Sequence, residues 1–195
     1  MSVGKITNIE HIYLLNFICL FKKLILGEIK MLLSQNKDSK RTTLKLNSKS
    51  NEAIALLKAD HKVVEGLFRD FEITGSDKKK KQIVDEICKE LTIHAQIEEE
   101  VFYPAVQKAL KDHELVPEAI VEHASLKELI AAVKGIEPNG DMYDAKVKVM
   151  AQYVKHHVKE EEREMFPEAK ESNLDMAELG ARIIERKQQL AQEYV

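Results

Sequence analysis

The sequence predicts an all-α fold: an up-down-up-down antiparallel four-helix bundle with a C-terminal accessory helix. Three observations predict it. From Asn51 onward, apolar residues recur at spacings of three and four, the period of a helix that buries one stripe. Helix breakers are sparse, with 7 Gly and 4 Pro, while charged residues reach 32%, the balance of long helices with solvated faces. Polar residues interrupt the apolar stripes at equivalent places, because one two-helix unit is used twice: 62 residues separate His61 from His123, and 63 separate His94 from His157, Glu98 from Glu161 and Pro104 from Pro167.

Residues 1–50 are read as an N-terminal leader and flexible linker. "IYLLNFICLF" is 10 apolar residues followed by Lys22 and Lys23, short for a membrane span and lacking the cleavage pattern of a signal peptide. A leader with Met31 as the working start is the preferred reading; a basic amphipathic helix lying on a membrane over residues 12–33 is the weaker alternative. Ser34 to Ser50 is polar and unpatterned, as a linker is.

Residues 51–172 hold the bundle. The first helix, about Asn51 to Thr74, presents Ile54, Leu57, His61, Val64, Phe68 and Phe71 on its stripe, and "TGSDKKKK" turns the chain. The second presents Val84, Ile87, Leu91, His94, Glu98, Val101 and Ala105, and is expected to end or kink near Pro104, where a backbone donor is lost. The third starts near Pro117 and shows Val116, Ala119, His123, Leu126, Ile130 and Val133. After "GIEPNGD" the fourth gives Tyr143, Val147, Met150, Val154, His157 and Glu161 before Pro167. Residues 173–195 form the accessory helix, opened by the capping-box pattern Asp175 to Glu178. Short connections make sequential helices antiparallel neighbours.

The overall charge of −3 conceals a split: nine Lys and Arg face three Asp and Glu in residues 1–50, leaving 21 against 30 in residues 51–195. An acidic bundle argues against a nucleic-acid partner, since phosphates call for the opposite sign. Cys19 and Cys88 are the only cysteines, which fits reduced thiols and a cytoplasmic location better than a disulfide framework.

His61, His94, Glu98, His123, His157 and Glu161 fall on the buried stripes at heights within about one helical turn of each other. The i, i+4 spacing stacks His94 with Glu98 and His157 with Glu161 on one face. Buried carboxylates without partners cost several kcal/mol, on the order of a failed buried ion pair, and two together repel each other. A cation resolves both problems. Four imidazoles and two carboxylates without a thiolate suit iron or manganese, and six ligands exceed one tetrahedral zinc. Two ions bridged by both carboxylates, each taking two imidazoles, use every ligand and leave room for an oxo or hydroxo bridge and an open position.

The order His61, "HAQIE", His123, "HVKEE", with "EEEVFYP" and "EEEREMFP", resembles the hemerythrin-like HHE cation-binding domain over roughly Ala53 to Lys170. The resemblance implies a non-haem di-iron four-helix bundle acting on dioxygen, nitric oxide or peroxide, or in iron–sulfur cluster repair and stress response. It maps the metal ligands to His61, His94, Glu98, His123, His157 and Glu161. Oxygen-carrying hemerythrins have a second histidine four residues after that of the third helix, where this chain has Lys127, and bridge with an aspartate five residues after the last histidine, where it has Glu162. The likeness is therefore closer to the cluster-repair branch, although the cysteine-bearing domain of longer repair proteins is missing. The expected function is to bind or sense a small oxidant or to serve cluster repair, a small diatomic or peroxide being the partner. The rivals are a reversible dioxygen or iron store, a peroxide-consuming di-iron enzyme and a metal-free interaction bundle.

Other polar residues carry weaker expectations. Glu90 and Glu122 are candidates to orient ligands or guide ions, with solvated charge the equal alternative. His156 is expected to be exposed and His113 to lie in a loop. Glu99, Glu100, Glu160 and Glu162 are expected to coat helices, Phe102 and Tyr103 to pack the bundle end, and Lys78 to Lys81 to form a solvated turn.

Overall fold

The computed structural model describes residues 52–138 and 140–194. The expectations for residues 1–50, including the surface helix over residues 12–33 and Cys19, lie outside the described residues. Within them the chain is helical, with no strand. Helix α1 spans Ala53–Ile73 and α2 Asp77–Ile97, and the second hairpin is built from α4 (Leu115–Lys134) and α5 (Asp141–Glu160). All six predicted apolar or polar stripe residues of α1 are buried, as are all six of α4. Lys78 to Lys81 belong to the first turn of α2 and not to the preceding turn; Lys80 is held there by Asp144 at 2.5 Å.

The prolines do not end the helices. After α2 the chain continues through a π-helical turn, Glu98–Phe102, into α3 (Tyr103–Ala109), and after α5 through a second one, Glu161–Met165, into α6 (Phe166–Glu171). The Tyr103 N–H donates to the Glu98 carbonyl and the Phe166 N–H to the Glu161 carbonyl, both five residues back. Widening the turn by one residue accommodates a proline that cannot donate and would crowd the carbonyl four residues before it. The extra residue also rotates the next helix about its axis. Val106, not the expected Ala105, is fully buried, and Tyr103 is brought onto the inner face.

Helix α7 (Met176–Glu193) begins at Asp175, whose side chain accepts from the backbone N–H groups of Ala177 and Glu178 at 3.0 and 2.9 Å. It packs on α1 and α2, burying Leu179, Ile183 and Leu190 against Ile54, Ile93 and Ile97. Burial of a side chain such as Ile183 is worth about 1.5–3 kcal/mol.

The core lies in two apolar clusters. One contains Leu57, Ile97, Phe102, Val106, Ala119, Met165 and Phe166; the other contains Val64, Leu91, Leu126, Met150 and Val154. On α1, His61 lies between Leu57 of the first and Val64 of the second; on α2, His94 lies between Leu91 and Ile97; on α4, His123 lies between Ala119 and Leu126. A polar layer thus divides the interior. No helix among the described residues is long and apolar enough to cross a membrane. Cys88 is buried and free, and burial pushes its thiol up to about 11, so it is an inert core residue at neutral pH.

Candidate metal centre

The six expected residues converge in that layer, none more than 7% exposed. The imidazoles meet in pairs: His61 Nε2 is 3.1 Å from His94 Nε2, and His123 Nε2 is 3.2 Å from His157 Nε2. Glu98 spans the pairs, with Oε1 at 3.2 Å from His94 Nε2 and Oε2 at 3.5 Å from His123 Nε2. Glu161 Oε2 lies 3.3 Å from His61 Nε2 and 3.6 Å from His157 Nε2. His61, His94, Glu98 and Glu161 make one four-ligand group, and Glu98, His123 and His157 make a second group of three.

The opposite ring nitrogens explain the inward aim. His61 Nδ1 donates to Glu162 at 3.1 Å, His123 Nδ1 to Glu99 at 3.0 Å and His157 Nδ1 to Glu122 at 2.7 Å. An ionised carboxylate only accepts, so the proton sits on Nδ1 and a neutral ring points a lone pair inward from Nε2. His94 is the looser case, its Nδ1 3.7 Å from Asp60 Oδ2, an ion-pair distance. The carboxylates keep the duplication: Asp60 and Glu122 are 62 residues apart, and Glu99 and Glu162 are 63 apart. Three of them meet a lysine, Glu162 with Lys58 and Glu99 with Lys127, both at 2.7 Å, and Asp60 with Lys187 of α7.

Three buried polar atoms have no hydrogen-bond partner among the described residues: His94 Nδ1, Glu98 Oε1 and Glu161 Oε2. Two of the three are carboxylate oxygens facing imidazole nitrogens, an arrangement that leaves negative charge and lone pairs directed at common points. Nitrogens 3.1–3.2 Å apart also match the edge between adjacent ligands of one ion when each bond is about 2.1 Å. The donor set therefore fits a pair of cations of borderline to hard character.

Protonation supplies the positive charge otherwise. Burial of His94 opposes its charging, but Glu98, Asp60 and Glu161 outweigh burial and raise it to about 10. His157 is likewise raised: burial opposes charging, and Glu122, Glu161 and Glu98 prevail. His123 is lowered, burial being the main cause with His157 adding to it. Burial would raise Glu161, yet His61, 3.3 Å from its Oε2, and the neighbouring His157 and His94 hold it down at about 2.

Several outer residues differ from expectation. Glu99 and Glu162 do not merely coat helices, since each accepts from a buried histidine. Glu122 takes the orienting place, whereas Glu90 is half-buried and makes no side-chain hydrogen bond or ion pair among the described residues. His156 is exposed, 3.1 Å from Glu160, and His113 is exposed in the connection before α4. Tyr103 is more than packing at the bundle end: its hydroxyl donates to Glu161 Oε1 at 2.9 Å and lies 3.4 Å from both Glu98 Oε2 and His123 Nε2. Burial, then the two carboxylates, raise the phenol well above its ordinary value, so it remains an O–H donor. The sequence marked Tyr103 only as packing and Asp60 not at all; the only signals of their roles were five-residue spacing from Glu98 and adjacency to His61.

The profile of the Hemerythrin HHE cation binding domain matches residues 52–169. A Nostoc sp. protein described as a DNA nickase is 31% identical over 111 residues, 57% of this chain and 31% of that protein, so the chain spans about a third of that relative. An uncharacterised protein of Mycobacterium bovis is 28% identical over 142 residues, 71% of this chain and 86% of the relative. The crystal structure of a hemerythrin HHE cation binding domain-containing protein from Mycobacterium kansasii superposes with a TM-score of 0.65 at 26% identity, covering 73% of this chain and 88% of that one. With the helical bundle, the paired histidines and the shared carboxylates in place, this chain is a metal-binding member of the hemerythrin HHE cation-binding domain family.

Proposed function

We propose that the protein holds two iron ions and uses them to bind or sense a small oxidant, dioxygen, nitric oxide or peroxide. His61 and His94 would hold one ion and His123 and His157 the other, with Glu98 and Glu161 shared between them. A bound pair of this kind supplies one- or two-electron exchange with such a ligand. Apolar clusters on both sides of the polar layer exclude bulk water. The Tyr103 hydroxyl steadies Glu161 and keeps a proton at Oε1, 2.9 Å away.

The observation that carries this reading is a small cavity against the four imidazoles, walled by Val64, Leu91, Leu126, Val154 and Val158. Its volume of about 10 Å³ is at the lower limit for one water-sized molecule. Larger substrates do not fit. The apolar wall favours a neutral, weakly hydrated ligand, consistent with a cytoplasmic stress-response role, of which cluster repair is one form. DNA nicking is not carried over from the Nostoc relative, because the acidic bundle disfavours a polyanion.

Metal analysis and ultraviolet–visible spectra of protein reconstituted anaerobically with Fe²⁺ test the proposal, with about two ions per chain expected from the ligand set. Nitric oxide or peroxide should then perturb the spectrum in stoichiometric amounts. Fewer than about one ion per chain, or a spectrum indifferent to all three oxidants, would reject it. A spectrum that returns to its starting form after air and then vacuum would identify a reversible dioxygen store.

A further inference from the structure

We propose that a second cavity, between α4 and the rod of α5, is the route by which divalent metal ions reach the centre, with Glu122, His156 and Glu160 as a transient cation site at its mouth. The proposal rests on the metal-centre reading and says how that centre is filled.

The cavity has a volume of about 50 Å³, several times that of the apolar one, and Glu118, Glu122, Glu160 and Glu164 line it. His157 and Glu161 also line it, so it reaches the candidate ligands themselves. Glu161, 2% exposed, lines the inner end, and its Oε2, without a hydrogen-bond partner among the described residues, faces His61 and His157 Nε2 at 3.3 and 3.6 Å. None of the four lining glutamates pairs with a lysine or arginine among the described residues, whereas the other three outer carboxylates each meet a lysine. A concave surface of one sign, walled by low-dielectric protein, concentrates counter-ions and accelerates their capture.

At the mouth, His156 Nε2 is 3.1 Å from Glu160 Oε1 and 3.8 Å from Glu122 Oε1, and the three ligand atoms lie within 4.8 Å of one another. Such a mixed, water-accessible set holds a divalent ion without burying it. Glu122 uses its other oxygen for His157 Nδ1 at 2.7 Å, so the mouth and the centre share a residue. The route is single because the duplication is broken here. The equivalent of His156 in the first hairpin is Ile93, 63 residues earlier and only 3% exposed, packed in the cluster that α7 completes. Among the described residues no helix covers His156 in the same way. The two cavities also lie on different sides of the polar layer: Val64 and Leu126 of one apolar cluster line the first, Ala119 and Met165 of the other line the second. Ion and oxidant would then approach from opposite sides.

The test uses the full chain stripped of metal, Fe²⁺ alone under anaerobic conditions, and a chelator assay that follows uptake against time. The variant combines Glu118→Gln, His156→Ala, Glu160→Gln and Glu164→Gln, leaving Glu122 and the inner residues in place. Its uptake should slow about tenfold or more and lose its dependence on ionic strength, while final iron content matches the wild type. A control with Glu72→Gln, Glu86→Gln and Glu137→Gln on exposed positions elsewhere should load at the wild-type rate. Equal rates for variant and wild type, or equal slowing in the control, would overturn the route. A lower final content in the variant would also overturn it, by placing these residues in the centre itself. Failure of the wild-type chain to take up iron would remove the metal-centre reading and this one with it, a result distinguishable because no variant is involved.

Discussion

His61 with His94 on the first hairpin, and His123 with His157 on the second, face each other at nearly equal nitrogen separations, 3.1 and 3.2 Å, and each ring has a carboxylate near its outer nitrogen. Outside that ring the hairpins differ. On the first, α7 seals Ile93 and Ile97 and contributes Lys187 to Asp60 beside His94. On the second, the position equivalent to Asp60 is Glu122, which meets exposed His156 and the acidic cavity instead. The difference teaches that duplication conserves the needs of the interior, since a buried polar group must be satisfied in both copies. A helix present once cannot serve both copies, so the exterior diverges.

The comparison can be broken most severely from inside. His61→Ala and His123→Ala should each remove at least one of about two ions per chain, with equal effect in the two hairpins, read by metal analysis after reconstitution. Unequal losses would show that the ion sites are not equivalent. Next in size is the pH dependence of the metal-free protein. His94 is raised from 6.5 to about 10, so its contribution is fully present below pH 6.5 and lost as pH rises through about 10. Glu161 is lowered from 4.5 to about 2, so its contribution is present above pH 4.5 and lost as pH falls through about 2. Urea midpoints should therefore be highest between pH 4.5 and 6.5 and fall on either side. Metal loading should flatten the alkaline limb, because an ion on His94 Nε2 replaces the proton.

The fifth helix sharpens the contrast. Ile183→Ala should cost about 2–5 kcal/mol through loss of packing on the first hairpin, measured by urea unfolding of the loaded protein. Lys187→Met leaves the Asp60 charge, 9% exposed, without its cation and should cost about 1–3 kcal/mol. Lys127→Met is the smallest change, below about 1 kcal/mol, because that pair is open to solvent. If Lys187 and Lys127 behaved alike, α7 would have no part in holding His94.

Much of this was legible in the residues. The α1 and α4 stripes needed only periodicity, because an unbroken α-helix returns to the same face every three or four residues. The register beyond Pro104 was not legible: a π-helical turn adds a residue, exchanging Ala105 for Val106 and turning Tyr103 toward Glu161. Glu99 and Glu162 were hidden for another reason. Each stands in a run of glutamates, and local sequence does not distinguish the one that meets a histidine across the bundle from those facing water.

The sequence by itself determined the helical bundle, the doubling of the hairpin and the six inward polar residues, because hydrophobic period and repeat spacing are local or translational properties of a chain. Tertiary structure alone decided which carboxylate aims each histidine, where Tyr103 points and which hairpin the fifth helix covers. Those outcomes depend on contacts between residues up to 127 positions apart, such as Lys187 with Asp60, and no short-range pattern encodes them.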